Sequence, residues 1–121
     1  MEINSWHETG QVLVTVLQLK GDLTAEEPLT SKAQAAFQDG ARDIVLDLGD
    51  VPYISSAGLR AIHVIYMMLR SADPEDEETA IHGIARGTYK SPHLKLVSPS
   101  RNGMKALTTS GYDLFLDIHD S

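Results

Sequence analysis

Asp43-Ile-Val-Leu-Asp-Leu-Gly-Asp-Val-Pro-Tyr-Ile-Ser-Ser-Ala-Gly-Leu-Arg-Ala-Ile-His-Val-Ile-Tyr-Met-Met-Leu-Arg70 decides how the rest of this chain is read. Ile44, Val45, Leu46 and Leu48 form a nearly continuous apolar run with β-branched members, the pattern of a strand covered on both faces. Pro52 has no N–H to give a ladder, so the strand ends near Val51. From Leu59 the apolar period changes from 2 to 3.6, and Leu59, Ile62, Tyr66 and Leu69 share one helical face. Ser55 or Ser56 stands where an N-cap belongs. Strand, short polar connection and long helix follow one another, with two hydroxyls at the helix start beside the small residues Ala57 and Gly58.

A hydroxyl at that place has two readings. One is capping, in which its oxygen accepts from an otherwise unpaired backbone N–H. The other is modification. A phosphate at a helix N-terminus meets aligned N–H groups and the positive end of the dipole, so the helix tolerates it. It would also change the outer surface by roughly −1.5 to −2 charges at neutral pH.

The helix itself is apolar over a wide arc. Ala61, Val64, Ile65 and Met68 broaden the core face, leaving Arg60, His63, Met67 and Arg70 as a partly polar stripe. Either the helix is buried nearly all round, or the edge at Val64, Met67 and Met68 meets a partner through adaptable methionines.

Tyr53-Ile-Ser-Ser-Ala-Gly-Leu-Arg-Ala-Ile62 resembles the phosphorylation loop of STAS domains, above all those of anti-sigma factor antagonists. The usual pattern there is Asp-Ser-Ser/Thr-Gly-Leu, whose first Ser takes phosphate from a partner kinase. With Gly58-Leu59 setting the register, the resemblance makes Ser56 the acceptor, with Ser55 the alternative. Ser55 stands where many members have Asp. The fold implied is α/β, a mixed, mostly parallel sheet of four to five strands packed against helices, with an N-terminal hairpin. The partner implied is an anti-sigma factor with serine kinase activity, bound through Tyr53, Ser55, Ser56, Ala57, Gly58 and Leu59. The following helix adds Arg60, His63, Val64 and Met67. Relatives that act as scaffolds or beside transport machinery supply a second reading, and a homodimer is a second kind of partner.

The rest of the chain fits one domain spanning 1–121. Ile3 to His7 and Val12 to Leu19 are two strands around a turn at Glu8-Thr9-Gly10-Gln11. Gly21-Asp22-Leu23 resembles the Gly-Glu-Leu that follows this strand in the family. Pro28 suits a helix start, Leu29, Ala33, Ala36 and Phe37 fall at helical spacing, and Gly40 ends that helix. The order strand, helix, strand implies a right-handed crossover.

Beyond the long helix, about 72–92 reads as an acidic, mobile insertion. Asp73-Pro-Glu-Asp-Glu-Glu78 gathers five of the 17 acidic residues. His93 to Val97 is a short strand. Ser100 caps a helix whose inner face is Met104, Leu107 and Thr108, stopped by Gly111. Leu114, Leu116 and Ile118 alternate in a last strand, after which the resemblance implies a further helix that this sequence lacks.

Composition bounds the function. The 121 residues are 42% hydrophobic and 22% charged, as in an ordinary globular domain. The formal charge of −7 disfavours nucleic acid and anionic membrane surfaces and favours a basic patch on a protein. No apolar run approaches the roughly 20 residues of a membrane helix, and the polar start is no signal peptide. With no cysteine, the chain carries neither disulfide nor thiol chemistry and suits the cytoplasm. An enzyme is not indicated. Ser56 and His63 would be about 10.5 Å apart along a helix axis, beyond the reach of a nucleophile and base. The five histidines have no metal-ligand spacing, and no phosphate-binding glycine loop or other cofactor signature occurs.

Overall fold

The strand run at Ile44 is the centre of a five-stranded sheet in a computed structural model that describes residues 1–10, 12–73 and 93–120. The strands are β1 (Glu2–Thr9), β2 (Leu13–Lys20), β3 (Ile44–Asp50), β4 (Leu94–Val97) and β5 (Asp117–His119), in that spatial order. β1 and β2 form the antiparallel hairpin, and every later pairing is parallel. The helices are α1 (Leu29–Gln38), α2 (Ser56–Ser71) and α3 (Arg101–Thr109). This is the mixed, mostly parallel α/β sheet with an N-terminal hairpin that the sequence predicts.

Burial along β3 alternates, which corrects the expectation of cover on both faces. Ile44, Leu46 and Leu48 are buried, Val45 and Asp47 are half-buried, and Gly49 and Asp50 are exposed. One apolar cluster joins these buried residues to Leu17, Leu19, Leu94 and Leu96 of the neighbouring strands. It also takes in Leu29 and Ala33 of α1, Ile62 and Ile65 of α2, and Leu107 of α3. The period of 2 along a strand therefore puts the three helices on a single face. The opposite face carries Trp6, Val16 and Val45 in register across β1, β2 and β3.

Several local expectations change once the sheet forms. β1 runs from Glu2 to Thr9 instead of Ile3 to His7, because β2 pairs with it over eight consecutive positions. The core face of α2 is rotated from the one expected. Gly58, Ala61, Ile62, Ile65, Tyr66 and Leu69 are buried, and Leu59 is half-buried at its edge. The small residues Gly58 and Ala61 let the helix approach its support closely.

In α3, Gly103 and Leu107 are buried while Thr108 is exposed, so Thr108 does not belong to the inner face. Leu114 lies in a short 3-10 turn, Tyr112–Leu114, and is 63% exposed. Only Asp117–His119 pairs with β4, so the last strand is shorter than the alternation suggested. Gly40 and Gly111 follow α1 and α3 with φ of 108° and 81°, values that suit glycine. Of the acidic insertion, all but Ala72 and Asp73 lies outside the described residues. Among the described residues no helix is long and apolar enough to cross a membrane.

Candidate functional site

The serine loop is strapped in place by a segment far away in sequence. After β3 the chain turns through a hydrogen bond from Val51 N to Leu48 O (3.1 Å). Leu23 then forms a parallel bridge with Ile54. Leu23 N donates to Tyr53 O and Ser55 N donates to Leu23 O, each at 2.9 Å. Leu23 and Ile54 are both buried. The Gly21-Asp22-Leu23 segment thus fixes the backbone on which the two serines stand.

The structure gives the capping role to one of the two hydroxyls. Ser55 is the N-cap of α2, with extended backbone (φ −87°, ψ 176°), and its Oγ accepts from Gly58 N at 3.2 Å. Ser56 is the first helical residue and is exposed. It takes no part in that cap hydrogen bond. An aspartate at position 55 would cap in the same way, since Asp and Ser are both strong acceptors at an N-cap. Either residue at position 55 would therefore keep the cap of α2.

Gly58, expected among the partner-contact residues, is buried. A Cβ there would lie 2.4 Å from Leu23 O, 2.8 Å from Leu23 Cγ and 3.1 Å from Ile54 Cγ2. The glycine is demanded by the close crossing of α2 over Leu23. The hydrogen bond that strap makes to Ser55 is the same one that holds the loop.

A cleft of about 620 Å³ opens between the loop and α3. Tyr53, Ser55, Ser56 and Leu59 line one side, and Asn102, Lys105, Ala106, Thr109 and Ser110 line the other. Tyr53 is 51% exposed at this site. Lys105 is the charged group of the lining. The α3 wall is tied to the loop by Ser100. Its Oγ accepts from Gly103 N at 3.0 Å, as the cap of α3, and donates to Pro52 O at 3.3 Å. Sequence reading found Ser100 as a cap but missed the wall, because nothing local says which helix will face the serines.

The other expected contact residues continue along α2. Ala57 is half-buried. Arg60, His63 and Val64 are exposed, and Met67 is half-buried against the core. Arg60 Nε donates to Glu26 Oε1 at 3.2 Å in an exposed pair. His63 stands against the rings of Tyr66, Tyr112 and Phe115, at centroid distances of 6.0, 5.9 and 6.1 Å. That is an aromatic packing position, not a base beside Ser56. His93 is likewise engaged, between Asp43 (3.0 Å) and Asp73 (2.9 Å). Among the described residues no group of three or more His, Asp or Glu side chains is placed to hold a metal ion.

A sequence model of the STAS domain matches residues 6–75, more than half of the chain and the whole of the strap, serine loop and long helix. The chain belongs to the STAS domain family. Its curated relatives include BtrV of Bordetella bronchiseptica, provisionally named an anti-sigma factor antagonist. The two are 38% identical over 64 residues, which cover 53% of this chain and 55% of BtrV. The match thus spans about half the length of that relative. An anti-sigma factor antagonist from Mycobacterium paratuberculosis has a similar structure, with a TM-score of 0.68. It is 17% identical, and the match covers 99% of this chain and 87% of the other. The anti-sigma factor antagonist SpoIIAA, in its unphosphorylated form, gives a TM-score of 0.53 at 16% identity, covering 98% and 89% of the two chains. At those identities the structural likeness establishes the STAS fold.

Proposed function

We propose that this STAS domain is a phosphorylation-switched binding module, an anti-sigma factor antagonist of the cytoplasm. Its partner is an anti-sigma factor with serine kinase activity, and binding releases a sigma factor. The observation that carries the reading is the division of labour in the loop: Ser55 is spent on the cap, and Ser56 is exposed at the first position of α2, on the wall of the cleft. The relatives named for the same role support it.

Unphosphorylated, the loop, Tyr53 and the α3 wall form a surface whose lining holds one charged side chain, Lys105. A phosphate on Ser56 would put roughly −1.5 to −2 charges into it. The helix terminus would tolerate that charge, so the cost falls on the complex and not on the fold. The chain acts by binding and is not itself a catalyst.

Phosphopeptide mass spectrometry on the protein from its native cells tests the switch. Phosphate at Ser56 whose occupancy changes between growth and stress is the expected result. Unmodified Ser56 and Ser55 under both conditions would overturn it. Native mass spectrometry with the kinase partner should show that enzymatic phosphorylation, and more weakly Ser56→Asp, depletes the complex.

A further inference from the structure

We propose that this protein also pairs with a second copy of itself through the outer edge of β1. The pairing is antiparallel about a two-fold axis at Trp6, so that two sheets become one. β1 is the outermost strand, and among the described residues no strand pairs with its far side. It is eight residues long, seven of them exposed, and meets β2 at every position without a register shift. The opposite edge, β5, has three residues. Long free edges are normally blunted by lysine, proline or a bulge, because their unpaired N–H and C=O groups are a template for another strand. Glu2–Thr9 has no lysine, proline or bulge, and its two carboxylates, Glu2 and Glu8, stand near its ends.

Charge and symmetry select the occupant and the register. A two-fold axis perpendicular to a sheet keeps each residue on its own face, so residues opposed across it are separated by an even number of positions. Two axes allow nearly full overlap. With the axis at Ser5, Glu2 of each copy faces Glu8 of the other, and like charges opposed across strands are unfavourable. With the axis at Trp6, Asn4 faces Glu8, Ser5 faces His7 and Ile3 faces Thr9. No like charges then meet, and an amide donor stands opposite each Glu8 carboxylate.

The same register continues the apolar strip of the open sheet face. Trp6 faces Val16 and Val16 faces Val45 within one copy. Trp6 is 38% exposed and would meet its symmetry mate across the axis. The cleft beside Ser56 takes no residue from β1, so self-pairing leaves it open.

The absence of native cysteine makes the register directly readable. Residues opposed in antiparallel strands have Cα atoms about 4.5 or 5.5 Å apart, within the roughly 4.4–6.8 Å that a disulfide spans. Mild oxidation of Trp6→Cys should therefore give a covalent dimer. An equimolar mixture of Ser5→Cys and His7→Cys chains, which keeps Trp6, should give the mixed disulfide. Ser5→Cys alone, which reports the other register, should stay reduced. Light scattering at sub-millimolar concentration should give twice the chain mass for the wild type and the chain mass for Trp6→Lys.

A wild type that stays monomeric would overturn the proposal. So would a dimer untouched by Trp6→Lys, or faster cross-linking of Ser5→Cys than of Trp6→Cys.

Discussion

Replacing Gly58 by alanine sets two physical effects against each other, and the structure decides between them. On an isolated helix the change would stabilise, since alanine is favoured over glycine by about 1 kcal/mol. Here the new Cβ would stand 2.4 Å from Leu23 O and 2.8 Å from Leu23 Cγ, so something must move by about 1 Å to restore a carbon contact. Leu23 cannot yield cheaply. It is buried, its carbonyl accepts from Ser55 N and its N–H donates to Tyr53 O.

Overpacking a tight site costs about 1–3 kcal/mol, and each hydrogen bond lost with the strap adds about 1 kcal/mol. After the propensity gain, a net loss of about 2–4 kcal/mol remains. For a domain of this size that corresponds to a melting temperature lower by about 10 °C. Thermal and urea unfolding followed by circular dichroism would measure it. Gly10→Ala, at a site with no atom near its added Cβ, is the control for the measurement. A melting temperature equal to or above that of the wild type would refute the reasoning, because it would mean that α2 does not cross Leu23 as closely as described.

Ser55→Ala should destabilise by about 1 kcal/mol through loss of the N-cap, while Ser55→Asp should leave the urea midpoint nearly unchanged. Ser56→Ala should shift that midpoint by less than about 0.5 kcal/mol in equivalent stability, because the exposed hydroxyl holds no part of the cap. Ser100→Ala should cost about 1–2 kcal/mol, since it removes both the cap of α3 and the bond to Pro52 O. Its effect on partner binding, measured by calorimetry, should exceed that of Thr108→Ala on the exposed side of the same helix.

The Glu27 carboxyl is held below its ordinary value, first by the hydroxyl of Ser31 and then by that of Thr30. A lowered carboxylate pKa contributes stability that is present above the ordinary glutamate value and lost as pH falls through the lower, folded one. The stability difference between wild type and Glu27→Gln should therefore shrink on acidification, and a pH-independent difference would contradict it.

Much of this molecule is legible locally. The apolar run at Ile44–Leu48, the proline at 52 and the change of period at Leu59 mark a strand and a helix through backbone preferences of a few adjacent residues. Ser100 is readable as a cap, and the cap of α2 as one of Ser55 and Ser56, because capping is a matter of three residues. Gly40 and Gly111 announce helix ends for the same kind of reason. Failures occur where a residue's state depends on a distant surface. Leu116 is buried as its alternating neighbours suggest, yet Leu114 is exposed, because the chain turns through Tyr112–Leu114 before it reaches β4. Thr108 has the spacing of an inner position, but α3 presents Gly103 and Leu107 to the core instead.

The sequence by itself determined the main elements, the cap of α3 and the pair of hydroxyls at the start of α2, since these follow from steric and hydrogen-bonding rules acting over one or two turns of chain. Only the tertiary structure decided which serine caps and which is exposed, why Gly58 must be glycine, and what faces the serines across the cleft. Those outcomes depend on Leu23 meeting Gly58 and Ser100 meeting Pro52. Such pairs are separated by tens of residues, and they meet because burying the apolar faces of the helices on one side of the sheet leaves them nowhere else to go.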